Sequence, residues 1–528
     1  LWRTAMITAR GATKSAAWVI PLAIYAAGMA LMFRGALWGP RSLGDNNDGG
    51  IALAILEHWV RVFMGQAADW RSPGWFWPAP HALGYSDSLF LVALPYAAAR
   101  AAGAGWFLAN DLAIASLATT GFWGMVLLVR RLGAPVAVGG VVAFVWSFGV
   151  VPVFKLGHLQ TYTMQLAPLL GLMLVAAWRG APGWAMAAGL LYGLMFLTAA
   201  QTPWFLGLEA GMALLAGAAL GRVEWRRGAR LVPPFGLGLA VGMVPFVLLY
   251  RDSFGLVRDF SAAHFYSGWP RDLLDVPPGE LMWSDLLHWT GIAGAAGRSS
   301  DEVALGLTPV LATSGVVALV LTARRRAGAA ALLAAGVLGP ALAVDWGWVE
   351  PWQAVFWWVP GGNAVRTPFR IELAAQFFLC LGLGLALGQG VARGGRLRRA
   401  GLVTLMAVLL AEQLGDRPSG RETAAMTAWL DAARRPAFAC EAFYLLPGGG
   451  RGLWHQNQAD AMLLSQKLGL PTINGNSSFY PEGWNMLFTE RAGYPVRVLA
   501  WIDAHGARAR VCGVDPRRNT WVAGVKPL

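Results

Sequence analysis

Charge is scarce in this chain. Asp, Glu, Lys and Arg together make up 13% of its 528 residues, too little to give a water-soluble domain its usual coat, and that shortage excludes an ordinary soluble globule. Lysine is rarer still, at four of 42 basic side chains, a bias that fits a GC-rich bacterial genome and says nothing of mechanism. There is no GxxxxGK[ST] run to cradle nucleotide phosphates, no HExxH and no CxxC pair, so neither nucleotide-dependent chemistry nor a zinc centre is indicated. No internal repeat is evident, which argues against the doubled architecture common in transporters.

What the chain has instead is apolar length. Hydrophobic residues make up 56% of it and tryptophan alone occurs 27 times; mean hydropathy is +0.48, and apolar runs near bilayer length recur along it. The composition predicts an all-α polytopic membrane protein. A net charge of +13 would suggest nucleic acid in a soluble protein, but here the basic residues gather between apolar runs. They lie at Arg130–Arg131, Arg179, GRVEWRRGAR (221–230), Arg324 to Arg326 and the ARGGRLRR cluster ending at Arg399. Positive-inside bias makes these cytoplasmic loops, and no nucleic-acid partner is expected. Arg3, Arg10 and Lys14 put the N-terminus inside, ahead of an uncleaved first span, with Met6 an alternative start to Leu1.

Spans are expected at about 16–36, 106–129, 135–151, 163–178, 184–200, 204–221, 231–250, 303–322, 327–344, 370–390 and 400–414. A further run near 88–102 would, if it crossed, put Arg130 and Arg131 outside; it is read as interfacial or re-entrant, which gives about eleven crossings, with thirteen as the alternative. The transmembrane domain is then 1–414, with an outer loop at 37–86, and 415–528 forms a small extracytoplasmic α/β domain of a bacterial inner-membrane protein. In that tail FACEAFYLLP and RVCGVD read as strands, HQNQADAMLLSQKLGL as a helix and PTINGNSSFYPEGW as a turn-rich loop. Cys380 falls in a span. Cys440 and Cys512 lie outside, in an oxidising compartment, and are expected to pair.

The chemistry is expected in the outer loops. In SLGDNNDGG, Asp45 and Asp48 follow the first span, and carboxylates at that position need water, a cation or a proton; they are the candidate catalytic and metal-binding residues, Mg or Mn being the candidate ions, and the alternative is a solvated Asx turn. Arg366 and Arg370 sit at the outer end of a span, where guanidinium suits phosphate and plain interfacial anchoring is the alternative. Lys155, His158 and Gln160 share a short outer loop suited to a phosphate, a sugar hydroxyl or a divalent cation, or, for a lone His, to a structural hydrogen bond. Asp87, after Tyr85 and Ser86, lines the same cavity or caps the next segment, and Glu57 and His58 belong to an interfacial helix facing the site; His81 is a weaker candidate.

The acidic first loop, the many spans and the outer C-terminal domain resemble the GT-C superfamily of integral-membrane glycosyltransferases. The set LGDxxD, GYSD (84–87), GHLQ (157–160), RTPFR (366–370) and PTINGNS with PEGW is similar to a group of bacterial multispanning proteins within it. The resemblance covers nearly the whole chain, although the charged Lys–Pro–Pro stretch of some lipid-modifying members has no match. It implies an inverting transfer of a sugar from a polyprenyl-phosphate donor to a glycan, lipid or protein acceptor, with Asp45 as general base, Asp48 assisting, and Arg366, Arg370, His158 and Lys155 holding phosphate. A transporter or lipid flippase, and a non-catalytic scaffold for envelope polymers, are the rival readings.

Overall fold

Apolar runs become helices because a chain in lipid must satisfy its backbone N–H and C=O groups within each segment. The computed structural model describes residues 16–221, 223–291, 302, 304–323, 327–416, 420–447, 451–506 and 511–524; Met6, the first three basic residues and Arg324 to Arg326 lie outside the described residues. The long helices are α1 (Val19–Met32), α2 (Asp48–Phe63), α3 (Phe90–Ala101), α4 (Trp106–Arg131), α5 (Val136–Phe148), α6 (Ala167–Trp178), α7 (Gly183–Thr198), α8 (Gln201–Ala219), α9 (Trp225–Tyr250), α10 (Pro309–Thr322), α11 (Ala327–Leu342), α12 (Ile371–Arg393), α13 (Arg396–Ala411), α14 (Trp454–Leu468) and α15 (Tyr494–Ala504).

Among the described residues, five stretches are long and apolar enough to cross a membrane: Trp106–Arg131, Val136–Gly157, Leu159–Trp178, Trp225–Ser253 and Pro368–Arg393. Five shorter apolar helices among them are Val19–Met32, Phe90–Ala101, Gly183–Thr198, Pro309–Thr322 and Ala327–Leu342. Eleven crossings were expected, and four of the remaining expected spans, at 16–36, 184–200, 303–322 and 327–344, form short helices: at 1.5 Å per residue a 14-residue helix rises only about 21 Å against a hydrocarbon core of about 30 Å. Helices α7 and α9 touch backbone to backbone because Gly189, Gly193, Gly238 and Gly242 leave no side chain between them.

The 37–86 segment is more deeply embedded than an interfacial loop. Helix α2 is buried from Gly49 to Val60, because α3 covers it on one side and α14 on another, with Ala459 lying directly over Gly50. A two-residue ladder joins β1 (Arg41–Ser42) to β2 (Arg421–Glu422), antiparallel, with Ser42 opposite Arg421. The C-terminal segment also holds β3 (Ala442–Leu445), parallel to β4 (Val511–Asp515), which pairs antiparallel with β5 (Thr520–Ala523). Both strands and the helix expected there are present, and the Cys440–Cys512 disulfide ties the start of β3 to β4.

This segment is no detached cap. The Trp77 N–H donates to the Thr472 carbonyl (3.0 Å), the Thr472 N–H to the Gly74 carbonyl (2.8 Å) and the Trp501 indole to the Trp77 carbonyl (2.8 Å). Met426, Ala442, Ala459, Met462 and Val498 belong to the same apolar cluster as α2, α4 and α12, while Phe443, Leu445, Ala461, Leu464, Cys512 and Val514 form a second cluster within the C-terminal segment.

Candidate active site

Site building starts at the turn before α2. One oxygen of Asp45, Oδ1, accepts the backbone N–H groups of Asn47 (2.9 Å) and Gly49 (2.8 Å), and the other, Oδ2, rests against Gly157, where any Cβ would strike it. Arg421, buried beneath, donates to the Asp45 carbonyl at 3.0 Å and lies over the Phe107 ring. Asp45 is therefore spent on shaping the turn.

Asp48 differs from it in every respect that matters to chemistry. It opens α2, where the helix N-terminus favours an anion, and 40% of its side chain is exposed. Its Oδ2 lies 2.8 Å from His158 Nδ1, although the ring N–H is not aimed along that line. On the far side of the ring, Nε2 lies 3.3 Å from Glu302 Oε1. The imidazole thus bridges two carboxylates.

Glu302 is the hub of the buried half. It accepts from Arg370 through Nε (2.9 Å) and Nη2 (2.7 Å), a fork-to-fork pair, and from Lys155 Nζ at 3.4 Å. Lys155 and Arg370 are both buried. Burial opposes ionisation of Glu302, but the Arg370 and Lys155 cations outweigh it and hold the carboxyl well below the usual range. Burial likewise opposes ionisation of Asp48, yet the close approach of His158, with Arg370 beyond, keeps it below its ordinary value despite repulsion from Glu302. Asp87 goes the other way. Burial pushes it up to about 6, against the pull of Arg370 and of the Ala200 N–H that it accepts at 3.2 Å. With Gln160, Gln201 and Arg370 it lines a small pocket beside the cluster.

Of the residues singled out from sequence, then, Asp45, Asp48, Asp87, Lys155, His158, Gln160 and Arg370 converge. Arg366 lies against another partner, its guanidinium 5.4 Å from the centre of the Tyr266 ring. Tyr85 meets the edge of Phe76, with ring centres 6.4 Å apart. Glu57 accepts from Tyr96 (2.5 Å) and Arg100 (2.7 Å), and His58 Nε2 lies 2.8 Å from the Trp70 carbonyl; both are bound into the packing of α2 rather than facing the cluster. His81 pairs with Asp252 and Asp69. Glu302, Arg421, Arg258 and Tyr480 escaped notice, although Glu302 ends the acidic, aromatic stretch 251–302 and Tyr480 lies in the PTINGNSSFYPEGW loop.

Among the described residues, the metal-ligand set that does assemble is His264, Asp345 and Glu350, away from Asp45 and Asp48. Within it His264 Nδ1 already meets Glu350 at 2.8 Å, and Ser267 donates to the other oxygen of Glu350 at 2.7 Å. At the turn before α2, Asp45 Oδ1 accepts from backbone donors and Asp48 Oδ2 meets His158.

No protein-family model matches the chain. An alpha-(1->3)-arabinofuranosyltransferase of Mycolicibacterium smegmatis is 26% identical over 293 residues, covering 54% of this chain and 20% of that protein. The solved structure of arabinofuranosyltransferase AftD from Mycobacteria is similar at a TM-score of 0.55 and 16% identity, over 92% of this chain and 33% of that one. A mutant form of the same enzyme matches at 0.51 and 16%, over 92% and 35%. The chain thus spans about a fifth of the curated relative and a third of the solved chains, and the structural likeness is one of fold.

Proposed function

From the premise that this chain belongs, by fold, to the GT-C superfamily of integral-membrane glycosyltransferases, we propose that it transfers a sugar, with inversion, from a polyprenyl-phosphate donor to an acceptor hydroxyl at the outer face of a bacterial inner membrane. The observation that carries the reading is the half-open Asp48 carboxylate, backed by His158, at the edge of an otherwise buried ionic cluster. Asp48 is the general base: it takes the proton of the acceptor hydroxyl as that oxygen attacks the anomeric carbon. The bond from this carbon to the phosphate oxygen breaks, its electron pair leaves on the phosphate, and the anomeric configuration inverts.

Asp45 is given a different task from the one its sequence position suggests. With Oδ1 bound to the Asn47 and Gly49 backbone and Oδ2 lying beside Gly157, it fixes the turn that aims Asp48. Glu302, Arg370 and Lys155 form the rigid floor that holds His158 against Asp48.

The test is Asp48→Asn. Transfer in nanodiscs from a labelled polyprenyl-phosphate sugar should fall by roughly a thousandfold or more while the protein still folds, since a positioned base is worth at least a hundredfold and loss of its charge also disturbs His158. Cells relying on the variant should lack the same sugar unit, by mass of their surface glycans, as cells without the gene. Full transfer by Asp48→Asn would remove this carboxylate from the mechanism, and unchanged glycan composition with material trapped inside would favour transport.

A further inference from the structure

The cations of the buried cluster are already spoken for. Glu302 takes both forks of Arg370 and neutralises Lys155 as well, and Asp48 and Asp87 add further negative charge beside Arg370. A phosphate entering there would meet more carboxylate than guanidinium. Transfer needs its positive charge elsewhere, because charge builds on the leaving oxygen.

Two arginines nearby have the opposite character. Among the described residues neither Arg258 nor Arg366 has a carboxylate within ion-pair range. Arg258 donates from Nη2 to the Ser478 carbonyl at 2.9 Å and lies 4.3 Å over the Phe479 ring, while its Nε is buried with no partner. Arg366 has the Tyr266 ring as its neighbour. The Arg258 backbone N–H donates to the Asn363 carbonyl at 3.4 Å, which sets it against the segment that carries Arg366, and burial, with the charge of Arg366 added, brings Arg258 down to about 10. Tyr480, on the same loop as Ser478 and Phe479, lies within electrostatic reach of both arginines and of Asp48. Two guanidiniums on adjoining segments with no carboxylate partner suit an anion, and a phosphate accepting from both would neutralise them.

We infer that Arg258 and Arg366 bind the donor phosphate, and that the C-terminal loop 476–484 completes this subsite by holding Arg258 in place. The inference rests on the transfer reading and assigns the leaving group to residues other than Arg370 and Lys155. It also makes the C-terminal segment part of the substrate site.

Farnesyl phosphate, inorganic phosphate and UMP serve as probes on the full chain in nanodiscs, read by tryptophan fluorescence. Farnesyl phosphate should bind the parent protein tighter than either of the other two, and Arg258→Gln and Arg366→Gln should each weaken it tenfold or more, raise the donor KM similarly and, because charge builds on the leaving oxygen, lower kcat as well. Arg258→Lys, which keeps charge but not the fork, should fall between. In the unaltered protein farnesyl phosphate should protect both arginines from phenylglyoxal, read by mass spectrometry, a measurement that needs no variant to fold. Unchanged farnesyl phosphate affinity in both Gln variants, or absence of protection, overturns the assignment; UMP binding as tightly as farnesyl phosphate overturns the lipid source. If Asp48→Asn abolishes transfer while the arginine variants keep the parent KM, the subsite falls and the transfer reading stands; if the unaltered protein transfers nothing yet protection is seen, the reverse holds.

Discussion

Replacing Glu302 with Gln keeps the side chain's shape and deletes one charge. That charge serves Arg370 at 2.9 and 2.7 Å, Lys155 at 3.4 Å and His158 at 3.3 Å. Arg370 is 6% exposed and Lys155 2%, so neither cation reaches water when its counter-charge is gone. Stranding one buried ion costs about 3–5 kcal/mol, and two cations here share a single acid, which places the loss at the upper end. For a chain of this size that corresponds to a fall in Tm of roughly 3–5 °C, measurable by intrinsic fluorescence in detergent. Because Arg370 and Lys155 depress the Glu302 pKa, the stabilisation is fully present above the unfolded value of about 4.3 and is lost only as pH falls through the lower folded value. The gap between parent and variant should therefore stay constant from about pH 6 to 8 and narrow only in strong acid. Neutralising both partners, Glu302→Leu with Arg370→Met, should recover much of the Tm without restoring transfer. A Glu302→Gln protein melting within about 1 °C of the parent at pH 7 would refute the reasoning, since it would mean these cations are solvated.

Asp87 carries a pKa raised to about 6, so its ionisation opposes folding above that pH; Asp87→Asn should raise stability at pH 7.5 by up to about 2–3 kcal/mol, a gain that fades towards pH 4 in a thermal melt series. Gly157→Ala should disturb the turn by pressing a methyl group onto Asp45 Oδ2, and transfer assays should show kcat lowered at least tenfold with donor affinity nearly unchanged. Cys512→Ser opens a link between residues 72 apart in sequence, and the chain-entropy model puts the loss at about 4 kcal/mol; limited proteolysis should reveal it as faster cleavage within the C-terminal segment.

The helices were legible because lipid allows so few alternatives. Expected runs at 106–129, 184–200 and 370–390 correspond to Trp106–Arg131, Gly183–Thr198 and Ile371–Arg393. Less legible was depth. The apolar run of α2 announced a helix, yet its burial depends on α14, supplied by residues some four hundred positions later. Within the site, Asp48 and His158 stood out as polar residues at the ends of apolar runs. Glu302 did not, because its partners lie 147 and 68 residues away and no local pattern encodes such a meeting. Asp45 and Asp48 are the same residue type on the same turn; only the hydrogen bonds from Asn47 and Gly49 separate a turn-former from a base.

The pairing of Ser42 with Arg421 has a bearing on biogenesis. Arg421 grips the Asp45 carbonyl across 376 positions of sequence, so a nascent chain that has already threaded α1 to α13 would still carry an unfinished acidic turn. The turn before α2 can take its final shape only once residue 421 has been made and has folded back onto it.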